Sequence, residues 1–292
     1  MLDLLDAEAG LLTVGSSRDV AELRALSEQL GKQSSAPWCE RLEHAHDHLL
    51  RGMGQRSIGL RRSKAWIGAS GATLAEASYV PPPPQELPWL LADWQQWLEH
   101  PHDLHPLLKL AQAYAQFEAI HPFQDAGGRV VRLFLQHYLV STQQLSLPVL
   151  LWSDQLRGEA SRLHRARQQL RLHRDASAWF AVFTQLLASA AMETVSTIHR
   201  VMALREQHRR DIAAAFGRST AQALQVLDAL MAQPMLGVKD LIELTGLSFP
   251  AANELALRLV RADVLVEVTG NARNRCFRYA PYVRIFIPED TQ

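Results

Sequence analysis

Residues 120–138 read IHPFQDAGGRVVRLFLQHY, and the rest of the chain is best understood outward from this stretch. Between His121 and Arg132 it gathers a histidine, an aspartate, two adjacent glycines and two arginines, with apolar helical patterning on either side. Upstream, Leu107, Leu108, Leu110, Ala111, Tyr114 and Phe117 recur at three- and four-residue spacing, which predicts a helix from about residue 106 to 119. Pro122 disfavours helical geometry at the residue before it, so that helix should stop near Ile120. Downstream, Val130, Val131, Phe134, Leu135 and Tyr138 begin a second apolar-faced helix. A short loop must join the two.

A loop that ends in Gly127 and Gly128 and opens straight into a helix presents unpaired backbone N–H groups and the positive end of the helix dipole. Anions suit such a place. Arg129 and Arg132, three residues apart in the first turns, can reach the same side and add forked donors for phosphate oxygens. Asp125 is an odd neighbour for a bare anion. It makes sense when a divalent cation joins it to phosphate, since Mg2+ takes one or two carboxylates plus substrate oxygens. His121, at the other lip, is then placed to take a proton from an incoming hydroxyl. Taken singly, a histidine before proline is more often a surface residue, and two glycines before a helix are usually a turn. Together, at this spacing, they read as a phosphoryl- or nucleotidyl-transfer site.

The segment HPFQDAGGRVVR closely resembles the signature of the Fic (Fido) family, usually HPFx(D/E)GN(G/K)RxxR, whose members mostly move AMP from ATP onto a protein hydroxyl. The resemblance implies a mainly α fold, a Fic-type helical bundle with a small β-hairpin flap. It implies ATP as substrate, Mg2+ as cofactor, and as partner a target protein that presents a Ser, Thr or Tyr hydroxyl. By the same resemblance His121 is the catalytic base, Asp125 the Mg2+ ligand and Phe123 an anchor beneath the loop. Asp125, Ala126, Gly127, Gly128, Arg129 and Arg132 form the nucleotide-binding set. Two positions depart from the pattern. Ala126 replaces its first glycine, and Gly127 replaces its asparagine, which removes a side-chain amide worth about 0.5–1.5 kcal/mol, or about 1.5–3 kcal/mol against a charged partner. That loss leaves open a second reading, a degenerate member that acts as a regulator or scaffold. Family members commonly carry a tyrosine pair beside the adenine, and the matching positions here are Ala160 and Ser161. Stacking worth about 1–3 kcal/mol would go with it. The family's inhibitory pattern (S/T)xxxE(G/N) is not met at Ser16 or Ser17, which are followed four residues on by Val20 and Ala21.

The chain has 292 residues, 48% of them hydrophobic, and a formal net charge of zero. It is long enough for a large core and two domains, and nothing global marks it as a nucleic-acid binder. Cys39 and Cys276, far apart, suit a reducing compartment and give no thiolate metal cluster. The opening MLDLLDAEAG lacks a basic leader, and no run of about 18 consecutive apolar residues is present, so a cytoplasmic protein without a membrane span is expected.

The expected domains are an N-terminal helical module over 1–60, a Fic core over 61–216 and a winged helix-turn-helix over 217–292. Asp19 is placed to cap a helix through Leu23 and Leu26. A helix is predicted over 38–53, where His44 and His48 lie one turn apart but lack a third ligand and read as a solvated face. From Arg61 the sequence RRSKAWIGASGATLAEASYVPPPP predicts a short hairpin over 66–80, ended by four stiff, donor-poor prolines. This stretch resembles the family's flap, which implies that Ser78, Tyr79 and Val80 position the target segment by strand addition. Residues 87–98 read as a helix whose Trp89, Trp94 and Trp97 are core. A capped apolar helix is expected over 175–187 and a basic linking helix over 200–218.

Helices are predicted over 221–231 and 238–245, with Gly246 as the turn, Ser248 as a cap and a third helix from Pro250 to about Ala262. Alternation over 265–269, Gly270-Asn271 and the run 275–279 predict a hairpin. Three helices and a hairpin make a winged helix, and the segment resembles the one that accompanies many long Fic proteins. Its third helix offers Asn253 and Arg258, and its wing Arg273, Arg275 and Arg278 as candidate DNA contacts through phosphate. Protein docking or homodimerisation through the same apolar helix is the other expectation.

Overall fold

The computed structural model describes residues 35–68, 73–270 and 275–286. The predicted N-terminal elements before residue 35, the cap at Asp19 included, lie outside the described residues. The fold is mainly α with one small sheet, in two compact units whose described residues run over 35–191 and 192–286.

In the first unit, α1 (Trp38–Gly52) buries Trp38, Leu42, Ala45, His46 and Leu49, one helical stripe. Helix α2 (Leu87–Glu99) contributes Leu87, Leu91, Trp94 and Leu98. Helix α3 (Pro106–Ile120) and helix α4 (Gly127–Ser141) follow, and α4 is buried at Val130 and Val131 and from Leu133 to Leu139. A helix buried over most of its length is a core helix. Two buried tryptophans satisfy their N–H groups on α3: Trp94 Nε1 donates to Ala113 O at 3.0 Å and Trp179 Nε1 to Ala111 O at 2.8 Å. Gln136 pins the connection after α4 by a two-way bond with Leu150, 2.7 Å to its carbonyl and 2.9 Å from its N–H. The tryptophan expectation for α2 needs correction: Trp94 is buried, but Trp89 is 56% exposed. Leu87, Leu91, Trp94 and Leu98 already fill the inward stripe, and Trp89 falls off it.

A short helix α5 (Ser153–Gly158) and α6 (Ala160–His173) lead to α7 (Ser177–Ala215), 39 residues long. Asp175 lies just before α7, its Oδ1 accepting from Ser177 N at 2.9 Å. The apolar and basic stretches, expected as separate helices, are one, because no glycine or proline falls between them. By length and composition α7 could also cross a membrane. In this fold its early turns bury Trp179, Phe183, Leu186 and Ala190 in the first unit's core, as a core helix does.

In the second unit, Val201, Ile212 and Phe216 join a separate core with α8 (Thr220–Ala232), α9 (Val238–Thr245) and α10 (Phe249–Arg261). Gly246, at φ 68°, ends α9. Ser248 stands at the start of α10, but its side chain makes no capping hydrogen bond. Strands β1 (Met235–Gly237), β2 (Val266–Glu267) and β3 (Cys276–Arg278) form an antiparallel sheet in the order β1-β3-β2, with Leu236 opposite Phe277 and Val266 opposite Arg278. A last helix, α11 (Ala280–Phe286), was not anticipated; its Tyr282 stacks on Tyr279 at 5.5 Å.

Candidate active site

The loop between α3 and α4 is bent by two left-handed residues. His121 ends α3 at φ 49°, its N–H still donating to Phe117 O at 3.0 Å. Ala126, at φ 56° and ψ 3°, opens α4, and its carbonyl accepts from Arg129 N at 2.9 Å and Val130 N at 3.1 Å. Glycine takes this conformation most easily, and here alanine holds it. Gly127 and Gly128 are already helical, and by helix geometry their N–H groups have no acceptor within the helix.

Phe123 is buried beneath the loop, stacked on His46 at 4.0 Å with the rings 10° from parallel. His46 Nε2 donates to the Asp125 carbonyl at 3.1 Å. The backbone of Asp125 is therefore held from below, while its carboxylate is exposed and forms no ion pair or hydrogen bond among the described residues. A single open carboxylate beside free helix N–H groups fits Mg2+ held jointly with phosphate oxygens. Among the described residues no group of three His, Cys, Asp or Glu could hold a metal alone. His44 and His48 thus join no such cluster.

The two arginines have different neighbours. Arg129 Nη1 lies 2.9 Å from Met53 Sδ, at the end of α1. Arg132 lies along Gly128, its Nη1 3.7 Å from where a Cβ there would sit. It also acts on Glu118, the centre of a charged cluster: Arg167 Nη2 pairs with Glu118 Oε2 at 2.7 Å, and Arg171 adds its charge. Burial pushes the Glu118 carboxyl up against the pull of these arginines. Burial, aided by the nearby Arg61 charge, lowers His121 below the usual histidine value and keeps its ring neutral at physiological pH, as a base requires.

The flap stretch keeps one antiparallel bridge, Ile67 with Tyr79, in place of the longer hairpin expected over 66–80; residues 69–72 lie outside the described residues. Ile67 N donates to Tyr79 O at 2.8 Å, and Ser78 N to Ile67 O at 2.8 Å. Tyr79 is anchored at both ends of its ring, its hydroxyl donating to Ala119 O at 2.9 Å and Arg171 lying 3.7 Å over its face. Val80 is exposed. Ala160 and Ser161, at the start of α6, are exposed as well.

Sequence reasoning missed three residues. Glu118 and Arg61 carried no local mark, and Arg61 looks the same as Arg62 in sequence. His46 did carry one, since it lies on the Leu42, Ala45, Leu49 stripe, whereas attention fell on His44 and His48.

In the second unit, Arg275 pairs with Glu267 and lies 3.4 Å from Asn253 Oδ1. Arg258 donates to Ala215 O at 3.1 Å and lies over Phe216. Arg278 is half-buried on β3, and Arg273 lies outside the described residues.

Comparison with known proteins matches the part of the chain that contains this loop. The family model described as Fic/DOC matches residues 39–139. "Protein adenylyltransferase Fic" of Drosophila persimilis is 34% identical over 82 residues, 27% of this chain and 14% of that protein. The protein of the same name from Drosophila melanogaster is 33% identical over 82 residues, 27% of this chain and 15% of its own length. The chain thus spans only about one seventh of these relatives. Among solved structures, a Fic family protein from Desulfovibrio desulfuricans G20 shares the fold, with a TM-score of 0.53 and 23% identity over 96% of this chain and 81% of that one. The Fic/DOC model thus matches the part of the chain that holds the histidine-led loop and its two flanking helices, and the fold is similar to that of a solved Fic family protein.

Proposed function

We propose that the chain transfers AMP from ATP to a Ser, Thr or Tyr hydroxyl of a target protein. The observation that carries this reading is the loop itself: a half-buried His121, whose burial disfavours the charged ring, at one lip, and the open Asp125 carboxylate with the Gly127 and Gly128 N–H groups at the other. His121 takes the hydroxyl proton, the hydroxyl oxygen forms a bond to the α-phosphorus, and the bond to the β-phosphate oxygen breaks with loss of pyrophosphate. Helix N–H groups, with Arg129 and Arg132 alongside, neutralise phosphate charge as it shifts. Asp125 would hold Mg2+, which when bound supplies charge neutralisation at the phosphates. Ser78, Tyr79 and Val80 offer the segment along which a target strand can lie. The named relatives support the reaction class. Incubation with α-labelled ATP and a cell extract, with and without Mg2+, tests it: label on protein only with Mg2+ is expected, and none under either condition would refute the proposal.

A second reading, a regulator without transfer activity, is favoured by Gly127 in place of asparagine. Weak ATP binding with no label transfer would establish it.

The helix and strand order of the second unit supports a winged helix. Its Arg258 and Arg275 are bonded inside the unit, which favours protein docking over DNA contact. Fluorescence anisotropy with random duplexes at several salt concentrations tests this: no binding at low salt is expected, and steeply salt-dependent binding would restore the DNA reading.

A further inference from the structure

We propose that Arg61 is a positioning residue that holds His121 in its left-handed backbone setting and ties it to the root of the flap. This role rests on the reading of His121 as the base. Arg61 is only 2% exposed, yet among the described residues no carboxylate acts on it. Its guanidinium is satisfied instead by backbone carbonyls from three separate segments. Nε donates to His121 O at 2.6 Å, Nη1 to Ser63 O at 3.2 Å, and Nη2 to Ile120 O at 3.4 Å and to the Pro82 carbonyl. Its own N–H donates to Pro122 O at 2.9 Å.

Two of those carbonyls, at Ile120 and His121, lie at the C-terminal end of α3, where helix carbonyls lack intrahelical partners and the dipole favours a cation. Arg61 is therefore a C-terminal cap supplied from a distant part of the chain. The Pro82 and Ser63 carbonyls belong to the two arms that lead into the flap, so the same planar group fastens both arms to the base. A non-glycine residue keeps a left-handed backbone only where its surroundings over-determine it, and at His121 Arg61 supplies much of that constraint. Lysine, a point charge on a flexible stem, cannot bond this many carbonyls in one plane. The Arg61 charge also disfavours protonation of His121, consistent with a cation built in beside a base.

The test uses the full chain with Arg61→Lys, Arg61→Met and Tyr79→Phe, followed by amide hydrogen exchange and by NMR titration of the His121 ring. In Arg61→Lys the charge remains and the fork is lost. Exchange should rise about tenfold or more at His121, Ile67 and Tyr79 together, with core amides of α2 and α4 unchanged. In Arg61→Met the His121 titration midpoint should also move up. Tyr79→Phe removes the separate bond to Ala119, and should loosen Ile67 and Tyr79 while leaving His121 protected. The proposal is overturned if neither Arg61 variant changes these amides, if exchange rises equally throughout the core, or if Tyr79→Phe frees His121 as much as Arg61→Lys. These readouts need no AMP transfer. A wild-type chain that transfers no label would sink the proposed function and still leave the holding role of Arg61 decided by exchange.

Discussion

The loop before α4 and the hairpin of the second unit are both glycine-marked and rich in arginine, yet they handle charge in opposite ways. In the hairpin, Arg275 is matched to Glu267, with both side chains less than a quarter exposed, and also approaches Asn253. On the neighbouring helix Arg261 pairs with Glu254, and Arg258 is turned onto Ala215 and Phe216. Those cations serve the fold. In the loop, the open groups are the Asp125 carboxylate, unpaired among the described residues, and two helix N–H groups at Gly127 and Gly128, held in place by His46 from below and Arg61 from the side. A local count of arginines therefore says little about anion binding. What matters is whether the fold has already given each one an acceptor.

The largest effect that would break this contrast lies at His121. His121→Ala should lower AMP transfer by about 100-fold or more with ATP affinity nearly unchanged, because a base acts mainly in the transition state. Label transfer and calorimetry on both proteins measure the two terms, and equal transfer would remove His121 from the mechanism. In the wild type, the acid limb of the pH profile should lie below the ordinary histidine value of 6.5, since burial and Arg61 both disfavour the charged ring.

Gly127→Asn sharpens the comparison by adding the amide that the family pattern has. Gly127 is helical and not left-handed, and a Cβ there would meet Phe123 Cβ at 3.8 Å, an ordinary contact. ATP should then bind about twofold to tenfold more tightly. Calorimetry showing no gain would mean the amide was never the limiting defect.

Smaller again is the strain at Ala126. Ala126→Gly should stabilise the chain by on the order of 1 kcal/mol, the left-handed penalty less the entropy cost of glycine. A urea midpoint that falls would contradict this account of the loop.

The smallest change is expected at the hairpin. Arg275, by hydrogen bond and charge, holds the Glu267 carboxyl below its usual range. A depressed carboxylate stabilises the fold above its unfolded pKa and loses that contribution as pH falls through the folded value. Glu267→Gln should accordingly lower the melting temperature of the second unit at neutral pH, and the gap to the wild type should close in acid. A gap that persists at low pH would mean that the pair contributes through packing rather than charge.

How far the sequence alone reaches depends on how local each signal is. The bounds of α3, the breaks at Pro122 and Gly246, the bond from Asp175 at the start of α7, and the three helices and hairpin after residue 217 were legible, because proline, glycine, capping side chains and periodicity act over a few residues; strand β1 and helix α11, and the start of α4 at Gly127, were not. The His121-to-Arg132 spacing was legible for the same reason. Only the tertiary structure decided that Arg61 and not Arg62 is buried against His121, that His46 supports Asp125, that Trp89 is exposed while Trp94 is core, and that Arg275 is matched by Glu267. Each of those outcomes depends on which distant segments meet, a property of the packed chain that no short window of sequence contains.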